Sequence, residues 1–83
     1  MTNEDIIRMA KKEHGVHEEA HTFAEWKRKG YVVRRGEKAL FKVKIWIFTK
    51  EQVEVEDGVF MLQDKFVMKP TAFFGESQVK ARR

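Results

Sequence analysis

His17-Glu18-Glu19-Ala20-His21 has the spacing of H-E-x-x-H. On a helix that pattern sets two imidazoles one turn apart on a single face. They can then ligate zinc, while the glutamate takes a proton from a zinc-bound water. The chemistry requires a helix running through both histidines, and a third ligand. Thr22-Phe23-Ala24-Glu25 is a T-x-x-E capping box, which starts a helix at Thr22 and leaves both histidines ahead of it. No histidine follows His21, so a third ligand would be a carboxylate such as Glu25 or Glu37, and His14 lies on the wrong side of the pair. The expectation is a solvated connection between helices, with no catalytic residue, no metal site and no cofactor.

A second pattern suits different chemistry. WKRKGYVVRRGEKALFKVKIWIF, residues 26–48, interleaves cations with rings. Single-stranded nucleic acid is held by cations along its phosphates and by aromatic faces under its bases, the stacking being worth about 1–3 kcal/mol per base. Between Lys27 and Lys50 nine cations face one carboxylate, Glu37, whereas the segments on either side are mildly acidic. A merely soluble surface ordinarily mixes the two signs, and a block of one sign is expected near a polyanion. The candidate phosphate contacts are Lys27, Arg28, Lys29, Arg34, Arg35, Lys38, Lys42 and Lys44; the candidate stacking rings are Tyr31, Trp46 and Phe48. Phe23 and Trp26, three residues apart on one helix, are expected in the core. Tyr31 is balanced between core and surface. Trp46 and Phe48 either stack on bases or seat the helices. No recognition helix, zinc finger or RNP-type aromatic signature is present, so binding is expected to be electrostatic, weakly sequence-selective and salt-dependent.

These residues need elements to position them. Thr2-Asn3-Glu4-Asp5 opens a helix over residues 3–14, with carboxylates at its positive end and Gly15 to end it. Phe23-Ala24-Glu25-Trp26-Lys27-Arg28-Lys29 forms a second helix closed by Gly30. Tyr31-Val32-Val33 is β-prone, and Arg34-Arg35-Gly36-Glu37-Lys38 is a turn. The strongest strand is residues 39–50, in which Phe41, Val43, Ile45 and Ile47 alternate onto a core face, opposite Lys42, Lys44, Trp46 and Phe48. Residues 51–60 are acidic and turn-like around Asp57-Gly58, and are expected to form a mobile loop; periodicity does not decide residues 59–63. Residues 65–74 read as a strand in which Pro70 implies an edge or a bulge. Phe73 and Phe74 then point to opposite faces, and Gly75 to Arg83 form a basic tail. The fold class is α+β, with two short N-terminal helices packed on a small antiparallel sheet of three to four strands.

Eighty-three residues allow one domain, 1–83, with one modest core. Cysteine is absent, which excludes a disulfide framework and thiolate metal sites. No apolar run approaches the roughly 20 residues of a membrane helix, and the acidic start lacks a secretory core. A cytoplasmic protein without membrane contact is expected.

The block TFAEWKRKGYVVRRGEKA, residues 22–39, resembles the N-terminal domain of ArdC-type antirestriction proteins. That family's pattern runs from a Trp-containing helix through a Gly, an apolar pair and a basic G-E-K-A turn into an apolar strand. It commonly closes on an aromatic-rich strand and Ser-Gln, which Phe73-Phe74-Gly75-Glu76-Ser77-Gln78 resembles. The likeness covers about two-thirds of the chain. Val79-Lys80 and the acidic stretch 51–57 depart from it. The resemblance implies a module that binds single-stranded DNA, carried on plasmids, conjugative elements and phages. The first reading is a non-enzymatic binder of single-stranded nucleic acid, with DNA ahead of RNA, although the residues themselves leave the choice between DNA and RNA open. The resemblance carries over Trp26, Lys27, Arg34, Arg35, Lys38 and Gln78 as binding residues. Full-length relatives add a metallopeptidase-like domain with its own H-E-x-x-H, and His17–His21 lies upstream of the matching block. The alternative is a protein-interaction module whose basic surface docks on an acidic host protein. The oligomeric state is not legible.

Overall fold

Thr2 opens the first helix, α1 (Asn3–Glu13), with a reciprocal cap in the computed structural model, which describes residues 1–82. Its Oγ1 accepts from the Asp5 N–H at 3.2 Å, and the Asp5 carboxylate accepts from the Thr2 N–H at 3.4 Å. These bonds, with the Arg8 guanidinium beside them, hold the Asp5 carboxyl below its usual range. The helix ends at Gly15, whose φ of +66° few other residues adopt. The remaining elements are β1 (Ala20–Thr22), α2 (Phe23–Arg28), β2 (Tyr31–Val33), β3 (Phe41–Glu56), β4 (Val59–Gly75), a 3₁₀ turn (Glu76–Gln78) and β5 (Val79–Ala81). All strand pairs are antiparallel, in a three-stranded sheet of order β1-β4-β3 and a two-stranded ribbon of β2 with β5. The class is α+β. Among the described residues, no helix is long and apolar enough to cross a membrane.

The core lies between α1 and one face of the sheet. Phe41, Ile45 and Phe73 are buried there with Ala10 and Ala20, and Ile6, Ile7, Val43 and Ile47 pack around them. Phe41 and Phe73 face each other across the β3–β4 pair and stack at 5.1 Å. The expected core face of β3 is therefore the observed one. Phe74, on the other face, is half-buried. A separate cluster forms around Trp26, which is 2 % exposed. Its Nε1 donates to the Phe74 carbonyl at 2.8 Å, and its ring meets His21 and Tyr31 edge-on.

Several expectations are corrected. Phe23 does not join Trp26 in the core: α2 has six residues, and Phe23, in its first turn, is 55 % exposed. Residues 51–56 are not a loop but the continuation of β3, so the connection shrinks to Asp57-Gly58 with Gly58 at φ +78°. Residues 59–63 belong to β4. The C-terminal segment is no tail as far as Ala81, because β5 pairs Val79, Lys80 and Ala81 with Val33, Val32 and Tyr31; Arg83 lies outside the described residues.

The long hairpin gives the molecule its extents of 52 × 33 × 19 Å. Among the described residues no helix covers it beyond Ile47 and Val67, and of residues 50–65 only Val53 is even partly shielded. Pro70 sits where β4 has an open edge, since β1 covers only Phe73–Gly75.

Candidate nucleic-acid interface

Pleating turns Lys42, Lys44, Trp46 and Phe48 away from the core, and all four are exposed, Trp46 at 45 % and Phe48 at 52 %. Same-face neighbours on a strand stand roughly 7 Å apart, so the four side chains form a straight row, two ammonium groups followed by two rings. Across the pairing lie Ala72, Pro70, Met68 and Phe66. Phe66 meets Phe48 edge-on at 5.3 Å, which widens the row into a shallow apolar strip. Met68 and Phe66 went unnoticed in the sequence. Only the register shows that they share this face, although the exposed partner positions follow once a hairpin about Asp57-Gly58 is assumed.

The row is held in place by the start of α1. The Asn3 side chain bonds both main-chain groups of Trp46, donating from Nδ2 to its carbonyl at 2.9 Å and accepting at Oδ1 from its N–H at 2.8 Å. The core beneath, Ile45 above all, fixes the pleat from the other side.

The remaining candidates lie at the body end of the sheet. Lys27, Arg28 and Lys29 close α2, and all are exposed. Arg34, Arg35 and Lys38 occupy the exposed connection from β2 to β3, turned at Gly36 with φ +86°. Arg28 is engaged by Glu25 at 2.6 Å. Among the described residues, Lys27, Lys29, Arg34, Arg35, Lys38, Lys42 and Lys44 take part in no ion pair. Tyr31 is 39 % exposed and leans on Trp26, in a depression beside the β2–β5 ribbon that Lys29 and Lys80 line together with Glu19 and Glu76. It is therefore apart from the Trp46–Phe48 row.

Gln78 is corrected as a contact residue. It is buried, and its amide is fully engaged inside the protein. Nε2 donates to the Lys38 carbonyl at 2.6 Å and to Glu37 Oε1 at 3.2 Å, while Oε1 accepts from the Gly75 N–H at 2.9 Å. Gln78 thus ties the basic connection to the end of β4, and it acts on Arg34–Lys38 by positioning them. Trp26, carried over by the same resemblance, is likewise buried and works through packing.

The H-E-x-x-H residues do not share a helix. Glu18 lies in a bend, and Ala20 and His21 belong to β1. Glu18 instead receives the Ser77 N–H and hydroxyl, at 2.6 and 3.0 Å. His17 is exposed, while His21 packs against Trp26 with its Nε2 3.3 Å from Glu19 Oε1 and no aligned hydrogen bond. His14 stacks on Phe41. Among the described residues, no three His, Asp or Glu side chains come together as a metal-binding group.

Comparison with known protein families, curated proteins and solved structures finds no match to this chain.

Proposed function

We propose that this chain is a non-enzymatic single-stranded-DNA-binding protein of the ArdC N-terminal kind, serving a plasmid, conjugative element or phage in the cytoplasm. The observation that carries the reading is the exposed row Lys42-Lys44-Trp46-Phe48, which joins point charges for phosphates to open rings for bases on one rigid strand. The cations without carboxylate partners at the body end extend the electrostatic footprint, and the aromatic strip formed with Phe66 gives bases a platform. Nothing in the row reads a base edge by a fixed hydrogen-bond pattern, so strands of different sequence bind similarly.

The experiment is anisotropy with a labelled oligo-dT. Binding is expected at low salt, and log K falls linearly with log salt, at about −0.7 per phosphate neutralised. The triple variant Arg34→Ala, Arg35→Ala, Lys38→Ala binds more weakly while remaining folded. Unchanged affinity in that variant removes the body end from the site; absence of any salt-sensitive binding removes the function. The second reading, a module docking on an acidic protein, draws on the same unpaired cations. A pull-down that keeps one stoichiometric partner after nuclease treatment, from a protein without oligonucleotide affinity, selects it instead.

A further inference from the structure

Among the described residues, β3 is the last strand of its sheet, and its far edge is unpaired from Phe48 to Glu54. The Asn3 amide meets both main-chain groups of Trp46, so the Trp46 N–H and carbonyl point away from β4. That direction alternates along a strand, and the β3–β4 register runs unbroken from Phe41 to Glu54. Phe48, Lys50, Gln52 and Glu54 therefore also aim their N–H and C=O groups outward. Asn3 bounds this stretch at one end, and the irregularity between Glu54 and Glu56 bounds it at the other. A ribbon of two uncovered strands is marginal in water, and added strands stabilise it.

We propose that this edge pairs with the same edge of a second copy, antiparallel, about a two-fold axis that passes at Gln52 perpendicular to the sheet. Lys50 then lies opposite the second copy's Glu54, Glu51 opposite Val53, and Gln52 opposite Gln52. The Lys50–Glu54 and Gln52–Gln52 pairs each exchange two main-chain hydrogen bonds, and the symmetry makes the Lys50–Glu54 contact twice. Among the described residues Glu54 has no ion pair within its own chain, and Lys50 has only Asp64, at 3.8 Å on its other side. On the inward face the two Glu51 side chains are diagonal neighbours, each held by its own Lys65 at 3.1 Å on the side away from the other.

Charge selects this register. Residues opposite each other must share a face, so the axis passes at a single residue. At Lys50, Glu51 or Glu54 it sets like charges against each other, which is destabilising; at Val53 it pairs no charges. Centred on Gln52, the second copy's β3, which ends at Glu56, runs out before Asn3. The open edge of β4 offers no such match. Asp64 lies on one face and Lys65 and Lys69 on the other, so no antiparallel register sets unlike charges opposite, and Pro70 withholds an N–H from that edge. An edge contact roughly 16 Å long belongs to the small, transient class of interface, so the dimer is reversible. Both copies keep the row Lys42–Phe48 on the same face of the joined sheet. The use of that doubled row rests on the nucleic-acid reading; the pairing does not.

Amide hydrogen exchange and sedimentation equilibrium at low salt, from micromolar to millimolar protein, test the pairing. The amides of Lys50, Gln52 and Glu54 gain protection in step with the dimer, and those of Glu51 and Val53, already bonded to β4, change far less. Glu54→Lys and Lys50→Glu each weaken the dimer about tenfold or more, and the double charge swap restores it. Gln52→Pro removes an outward N–H, keeps the wild-type circular dichroism spectrum and abolishes the dimer. A wild-type chain that stays monomeric throughout, protection that arises instead at Phe60, Leu62 and Phe66, or a double swap no tighter than either single variant overturns the proposal. If oligo-dT does not bind while the three β3 amides are still protected, the nucleic-acid reading fails and the edge pairing stands.

Discussion

The Asn3 side chain meets the main chain of Trp46 with both ends of its amide, and so closes the open edge of β3 the way a neighbouring strand closes it. An edge strand with free N–H and C=O groups invites pairing with other chains. Here the start of α1 blocks that pairing at the residue whose ring stands in the proposed binding row.

Asn3→Ala is therefore expected to cost about 1–2 kcal/mol in denaturant unfolding, two largely solvent-exposed hydrogen bonds being lost. It also speeds amide exchange at Trp46 specifically. Asn3→Asp keeps the acceptor for the Trp46 N–H but sets a carboxylate oxygen against the Trp46 carbonyl, so it is expected to recover little of the loss. Wild-type exchange at Trp46 in the alanine variant would refute the edge closure.

Gly75 is dictated by space rather than by φ. A Cβ there runs into the Glu18 carboxylate and Leu40 Cδ1. Gly75→Ala is expected to destabilise the fold by about 1–3 kcal/mol through overpacking. Gln78→Ala has a similar cost for a different reason, since it strands the Gly75 N–H and the Lys38 carbonyl. It also loosens residues 34–38, which amide exchange across the connection reports.

Trp26 and Phe23 separate cleanly despite their common helix. Trp26→Ala opens the cluster shared with His21 and Tyr31 and is expected to cost about 3–5 kcal/mol. Phe23→Ala removes an exposed ring and stays within about 0.5 kcal/mol of wild type. Urea unfolding of the two variants distinguishes them, and equal losses would contradict the placement of α2.

Helix boundaries were legible because their signals are local. Thr2 and Thr22 accept from the main chain three residues on, and Gly15 and Gly30 take positive φ at the ends. The two faces of β3 were legible because one is buried and the other is not. The outer hairpin was obscured by its composition: in Gln52-Val53-Glu54-Val55-Glu56 a strict alternation was present, but with neither face buried the charge suggested a loop. Asp57-Gly58 flanked by that alternation is a hairpin signal. Phe23 failed because three-residue spacing gives a shared face only in a helix long enough to bury it. Gln78 failed because nothing in a sequence shows whether an amide faces outward or ties two turns together.

The central claim is that Trp46 and Phe48 stack on the bases of a single strand. Its most direct test is the affinity of oligo-dT for Trp46→Ala and Phe48→Ala, measured across a salt series on variants shown to be folded. Each substitution is expected to weaken binding by about 1–3 kcal/mol while leaving the salt slope unchanged, because no phosphate contact is lost. Wild-type affinity in both variants would contradict the claim.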